Sequence, residues 1–341
     1  MKAAVYRRST GLIIEDVPTP EPGTEFVLIK VSNTGFCGSD HSLIESGLLA
    51  DGTILGHELS GTVAGWGKDV RGMTEGSRVV VRPTFCGQCR DCRMGRPHLC
   101  TGSRRTIGIG DLPGAFAEYV KVYPQMVIPI PAGVDSRNAA LAEMFASALH
   151  GIRASGSRGG SALVLGGGPI GLAAVGLLKL LGFAPIALSE PVQKKRELGK
   201  LFGADYVLDP LAEDLRQAAR DWTGGIGFGT ILECSGVAQN VPLAFELVAT
   251  GGSVCMISIL FTSITLSQPM AMNFKEFRFT ASYSNTHEEN RECLRWMAEG
   301  AIDARPLISD LTDLEQLPRI YRERIHPGKS VKAMLKIGEE F

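Results

Sequence analysis

The chain has 341 residues, 44% of them hydrophobic and 21% charged, and a formal net charge of −1 at pH 7. That length accommodates two domains of ordinary size, and the composition is that of a globular protein rather than a disordered or fibrous one. Charges of both signs are interspersed, which predicts no nucleic-acid partner and no membrane surface. Residues 1–8 show no apolar leader core, so the expected setting is the reducing cytoplasm. The longest apolar stretch, 162–178, holds five glycines and Pro169. It reads as strand, turn and helix rather than a membrane span.

The first part of the chain reads as β-rich. Runs 2–6, 12–17, 26–34, 61–64, 78–81 and 117–121 are heavy in β-branched or aromatic residues. Turn chemistry such as Pro18-Thr19-Pro20-Glu21-Pro22-Gly23 separates them. Cys37-Gly38-Ser39-Asp40 follows the third run, and Gly56-His57-Glu58 precedes the fourth. A zincin protease needs a second histidine four residues after His57, and Gly61 stands there. Residues 42–54, with Leu43, Ile44, Leu48 and Leu49, read equally as the mouth of a substrate pocket or as packing.

Four cysteines then fall within fifteen residues: Cys86, Cys89, Cys92 and Cys100. Two-residue gaps followed by a seven-residue gap can wrap four thiolates around one tetrahedral ion, and zinc suits that geometry. A reducing compartment argues against disulfides. A ferredoxin-type cluster would close with a three-residue gap and Cys-Pro, whereas Thr101 follows Cys100 here. A closed four-sulfur shell has no place for substrate, so this metal is expected to staple a loop, over 83–103. Chemistry needs an open site, and Cys37, His57 and Glu143 would offer a thiolate, an imidazole and a carboxylate with one position free. Spacing alone does not bring those three together. A lone cysteine is usually a small buried hydrophobe, and a lone glutamate is usually on the surface.

From Ser161 strands and helices alternate. Strands are expected at 162–165, 186–189, 206–208, 230–234 and 253–259, and helices at 169–181, 192–202, 213–222 and 241–248. Alternation of this kind predicts a parallel sheet covered on both faces, a doubly wound α/β (Rossmann) fold. Gly166-Gly167-Gly168-Pro169-Ile170-Gly171 lies where the first strand meets its helix, the context that gives a glycine fingerprint meaning. Gly166 makes the tight turn, Gly168 lets backbone approach a pyrophosphate, and Gly171 lets helix pack on strand. Pro169 and Ile170 open the helix whose N–H groups face the phosphates. Glu190 ends the second strand and can accept bonds from both adenosine-ribose hydroxyls, which predicts NAD over NADP, with Lys194 and Lys195 nearby. Past residue 285 a helix at 289–299 and short strand-like pieces end the chain. The expected division is 1–145 with 286–341 as a β-rich domain, and 146–285 as the nucleotide fold inserted between.

Taken together, Cys37-Gly38-Ser39-Asp40, Gly56-His57-Glu58-Leu59-Ser60-Gly61, the four-cysteine lobe, Gly114-Ala115-Phe116-Ala117-Glu118-Tyr119, the glycine fingerprint and Gly328-Lys329-Ser330 resemble the zinc-dependent medium-chain dehydrogenase/reductase family over essentially the whole chain. The resemblance implies a GroES-like catalytic domain and two zinc ions per chain. Cys37, His57 and Glu143 would hold the catalytic one, with Glu58 a neighbouring or interchangeable ligand. It also implies that Ser39 passes the alcohol proton onward and that Lys332 meets the cofactor pyrophosphate. The implied reaction is reversible oxidation of a small alcohol, secondary or polyol, to its carbonyl with hydride transfer to NAD, in a cleft between the domains of a homodimer or homotetramer. The sequence departs from the family at three places. Ser42 stands where a relay histidine is common, with His41 one position early; Met144 replaces the proline after Glu143; and Gly227-Phe228-Gly229-Thr230 lacks the usual aspartate. Rival readings are a zinc-free NADPH reductase of quinones or enoyl groups and a non-enzymatic NAD-binding protein.

Overall fold

Alternating apolar positions in the first third of the chain close into two sheets of mostly antiparallel strands. The computed structural model describes residues 1–101, 106–110, 112–266 and 269–341; positions 102–103 of the expected lobe lie outside them. One compact unit comprises Met1–Glu143 with Asn285–Phe341, and a second comprises Met144–Ser284.

In the first unit a seven-stranded sheet runs in the spatial order Ile308–Asp313, Lys332–Lys336, Val27–Gly35, Glu58–Trp66, Arg78–Val81 and Val127–Pro129, with Tyr119–Val122 also paired to Val27–Gly35. Val27, Ile29 and Val31 alternate along their strand and bury one face against Leu59, Val63, Val79 and Val81. A smaller sheet joins Gly11–Asp16, Lys2–Arg7 and Thr53–Ile54. Register is what matters for the chemistry. Gly35 lies opposite Glu58 on one side and Met334 on the other. Residues just beyond the ends of these strands therefore leave the sheet together.

The second unit is a parallel six-stranded sheet in the order Tyr206–Leu208, Ile186–Ser189, Ala162–Leu165, Phe228–Glu233, Val248–Met256 and Arg278–Ala281. Numbered along the unit this is 3-2-1-4-5-6, the doubly wound order, with its switch point between the first and fourth strands. Ala162–Leu165 is buried at every position, as a central parallel strand must be.

Sequence periodicity left three functional elements undetected. Helix Gly38–Ser46 follows Cys37; helix Ala142–Ser155 carries Glu143; and edge strand Arg278–Ala281 completes the parallel sheet. The first has only a weak apolar stripe, with Asp40 its one buried residue. The strand expected at 61–64 runs from Glu58 to Trp66. Leu49 is buried, and Leu43 and Ile44 pack against the core cluster around Phe36 and Phe116, so packing accounts for the apolar residues of that segment except exposed Leu48. No described helix is long and apolar enough to cross a membrane.

Candidate metal and nucleotide sites

Cys37 is the N-cap of helix Gly38–Ser46 and sits two residues past the end of strand Val27–Gly35. Its position is fixed by Asp40, whose Oδ2 accepts the Cys37 backbone N–H at 2.9 Å. The other oxygen of Asp40 lies 3.3 Å from His57 Nδ1 and accepts the Gly56 N–H at 3.4 Å. Asp40 is fully buried. One carboxylate therefore anchors the Cys37 backbone and lies against the His57 ring, where a metal-binding histidine usually finds an orienting acceptor. Asp40 sits at the third helical position, where a carboxylate reaches back to the cap. The Cys37-Gly38-Ser39-Asp40 spacing is the signal in the sequence for this contact.

Cys37, His57 and Glu58 offer ligand atoms all within 4.8 Å of one another. Ser39 Oγ is 3.3 Å from His57 Nε2. Burial by itself pushes the His57 pKa down, but the charges of Asp40 and Cys37 outweigh it and raise it well above the ordinary value. A pocket this negative and this dry favours a cation, and a thiolate, an imidazole and a carboxylate suit zinc.

Glu143 is outside that group of three. Its Oε1 accepts from Asn285 Nδ2 at 2.6 Å, and Asn285 is held in turn by Asn290 at 2.7 Å. Burial raises the Glu143 pKa, with His57 lowering it and Glu58 raising it. The carboxylate thus lies in the field of the cluster while hydrogen-bonded to Asn285. Lys332, expected at a pyrophosphate, is 2% exposed. Its ammonium is paired with Glu58 Oε2 and donates to the Phe36 carbonyl at 3.0 Å. A Cβ on Gly35 would fall on Glu58 Oε2 and within 3.0 Å of Lys332 Cε, so only glycine leaves room for the pair. His41 does not face Ser39. Its Nδ1 is 3.1 Å from the Tyr321 hydroxyl, which donates to Glu45 Oε1 at 2.9 Å.

The four sulfurs of Cys86, Cys89, Cys92 and Cys100 also lie within 4.8 Å of one another. Cys86–Cys92 and Cys89–Cys100 separations are each 3.9 Å. Four sulfurs about 2.3 Å from a tetrahedral zinc stand about 3.8 Å apart, while a disulfide is about 2.05 Å. The arrangement fits one small ion and excludes disulfides. Backbone N–H groups of Cys89 and Cys92 point at the sulfurs of Cys86 and Cys89, each at 3.4 Å, as donors to thiolates.

In the second unit Gly166 has φ of +99°, and a Cβ there would stand 2.7 Å from Ser235 Cα. A Cβ on Gly171 would strike the Gly166 carbonyl, whereas one on Gly168 would meet nothing within 4 Å. Open space beside Gly168, at the start of helix Pro169–Leu180, is the room a pyrophosphate needs. Glu190 is 5% exposed, its Oε2 accepting the Gly167 N–H at 2.6 Å and its Oε1 the Val192 N–H at 2.9 Å. Arg196 donates to the Glu190 carbonyl at 2.8 Å and lies 3.1 Å from Asp209. Lys195 is half-buried on the same helix.

Residues 23–132 match the model of the alcohol dehydrogenase GroES-like domain, and residues 169–299 match that of the zinc-binding dehydrogenases. The chain is 31% identical to 2-dehydro-3-deoxy-L-galactonate 5-dehydrogenase of Pseudoalteromonas atlantica, over 100% of both proteins. It is 32% identical to sorbitol dehydrogenase of Halalkalibacterium halodurans, over 98% of this chain and 99% of the relative. Among solved structures, a putative zinc-binding dehydrogenase of Sinorhizobium meliloti bound to NADP superposes with a TM-score of 0.89 at 32% identity, covering 98% of each chain. With a thiolate–imidazole–carboxylate cluster in a GroES-like fold and a glycine cradle on a doubly wound sheet, the chain belongs to the zinc-dependent medium-chain dehydrogenase/reductase family, whose reaction is the NAD(P)-linked oxidation of alcohols.

Proposed function

We infer that the protein oxidises a secondary alcohol or polyol reversibly, with NAD preferred to NADP and two zinc ions per chain. The observation that carries this reading is the convergence of Cys37, His57 and Glu58 ligand atoms within 4.8 Å, from residues twenty positions apart. Cys37 and His57 would hold the catalytic ion together with a carboxylate from Glu143 or Glu58; the cysteines of the lobe would hold the second. Zinc supplies a Lewis acid that makes an alcohol hydroxyl more acidic, and nicotinamide supplies the hydride acceptor. The chain's own part is positional. Asp40 aims Cys37 and His57, and Ser39 Oγ stands where it can take the hydroxyl proton. Lys332 pairs with Glu58 Oε2, so Glu58 would have to leave that pair to serve as a ligand.

The donor set argues against a zinc-free reductase, which has no use for a half-buried thiol and a buried imidazole beside one carboxylate. It argues equally against a protein that merely binds NAD. NAD is favoured because a buried carboxylate at Glu190 repels a 2′-phosphate. Lys195 and Arg196 lie close by, and the Sinorhizobium relative carries NADP, so the ratio of kcat/KM values with the two cofactors is the deciding measurement. A ratio favouring NADP would reverse the assignment.

The proposed assembly is a homodimer or homotetramer. Strand Arg278–Ala281 is an edge of the parallel sheet, and Phe279, Tyr283, Ile259 and Phe261 are exposed on or near it. Unpaired edges with apolar side chains invite strand pairing. The cytoplasm, where the thiols stay reduced, suits both metal sites. Metal analysis giving two zinc ions per chain, together with zinc-dependent NADH formation from an alcohol panel, tests the whole reading. Full turnover in metal-free protein would sink it.

A further inference from the structure

One buried charge has no part in the site as described. Arg82 follows strand Arg78–Val81, is 0% exposed and is among the largest fully buried side chains. Its Nε donates to His287 Nδ1 at 3.2 Å, but Nη1 and Nη2 are buried without a hydrogen-bond partner among the described residues. A guanidinium cannot shed its charge to escape that position. Burial lowers its pKa to about 10, which leaves it protonated at neutral pH. Buried donors lacking an acceptor are strongly disfavoured, so an acceptor belongs to the working state.

The direction of the side chain is set by His287. Burial, with the Arg82 and Arg291 charges, depresses the His287 pKa to about 4. Its ring is therefore neutral and free to accept from Arg82. His287 opens helix His287–Ala298, two residues after Asn285, whose amide holds Glu143 Oε1. A single turn thus aims the guanidinium and positions the carboxylate expected at the catalytic metal. The negative groups acting on Arg82 are Cys92, Cys100 and Glu143, and none of them bonds Nη1 or Nη2.

We propose that Arg82 receives a carboxylate of the substrate, so that the alcohol oxidised here is a hydroxy acid. The proposal rests on the alcohol dehydrogenase reading given above. Nη1 and Nη2 of one guanidinium form the planar fork that a carboxylate matches with two parallel N–H···O bonds. A neutral polyol offers hydroxyls but no charge to offset the buried cation. A site built around a buried polar group rejects an analogue that leaves the group unpaired.

The test compares D-galactonate and D-gluconate with galactitol and sorbitol, and 3-hydroxybutyrate with 2-butanol, as substrates of the zinc-loaded enzyme with NAD. At least one acid is expected to exceed its neutral counterpart in kcat/KM by about 100-fold or more. Arg82→Met should reduce that ratio by about 30-fold or more, chiefly through KM, and Arg82→Lys should restore part of it. Calorimetric titration of the unmodified, zinc-loaded protein supplies a readout without turnover, and without reliance on a variant that folds. There an acid should bind at least about ten-fold more tightly than its neutral counterpart. Equal treatment of acids and neutral alcohols by the unmodified protein overturns the proposal. So does an Arg82→Met protein that loses lobe zinc and activity in proportion, which would make Arg82 a partner of the thiolates. If no alcohol of either kind is oxidised, the dehydrogenase reading fails instead. Calorimetry then decides the carboxylate site alone, and equal binding of acid and neutral compounds overturns it.

Discussion

Cys37, His57 and Glu58 work at the scale of single atoms. Replacing Cys37 by alanine removes the soft donor, so metal analysis is expected to fall from two zinc ions per chain to one, with NADH formation lowered by about 1000-fold. Retention of both ions would show that Cys37 is not a ligand. The Glu58–Lys332 pair tests a different property. Glu58 is 1% exposed and Lys332 2%, so removing either partner strands a buried charge. Urea unfolding is expected to show about 3–5 kcal/mol lost in Glu58→Gln or Lys332→Met alone. The double variant should lose less than the sum, because two neutral groups strand no charge. Additive losses would mean the two do not interact. His287 gives the pH dependence. Its folded value, about 4, lies below the ordinary 6.5, so the unfolded chain binds the extra proton first. The stability it contributes is complete above pH 6.5 and falls as pH drops from there toward 4. His287→Gln should flatten that part of the stability profile, read by thermal unfolding from pH 4 to 7.

Elements decide what the residues can reach. The strand pair Val27–Gly35 and Glu58–Trp66 sets Gly35 against Glu58, and this register carries Cys37 to His57. A one-residue slip would turn every side chain of one strand to the opposite face and separate the ligands. Gly35→Ala is therefore expected to disturb the Glu58–Lys332 pair rather than the strand, and to lower stability with little change in secondary structure by circular dichroism. At the glycine fingerprint, Gly166 has a positive φ and a close neighbour in Ser235. Gly166→Ala meets strain and contact together. NADH titration by fluorescence should show binding weakened by about 100-fold or more, with zinc content unaltered. Undiminished binding would remove the cofactor from that loop.

The whole molecule combines two units of different construction. Met1–Glu143 needs Asn285–Phe341 to finish its sheet, because Lys332–Lys336 lies beside Val27–Gly35. Met144–Ser284 is one continuous segment with its own parallel sheet. Chelation is expected to remove the metal proposed for the four-cysteine lobe, and the thermal midpoint of the first unit should then fall while the glycine fingerprint keeps its NADH affinity. Loss of both together would show that the units fold as one. The expected edge-to-edge dimer is read by sedimentation, with charged substitution at Phe279 favouring the monomer.

Local chemistry is written along the chain, and so the sequence by itself determined much of this protein. The spacing of Cys86, Cys89, Cys92 and Cys100 specified a tetrahedral knot, since ligands a few residues apart can meet only by folding locally. Alternation of strands and helices after Ser161, and glycines where a strand meets a helix, specified the doubly wound sheet. Other features depend on groups distant in sequence, and only the tertiary structure decided them. Strand register brought Glu58 into the cluster with Cys37 and His57, Asn285 held Glu143 beside it rather than within it, and Lys332 found Glu58. Nothing in the spacing along the chain sets Arg82 apart from the other arginines. Its meaning came from burial, which no spacing reveals, because desolvation is set by every atom that packs around a charge.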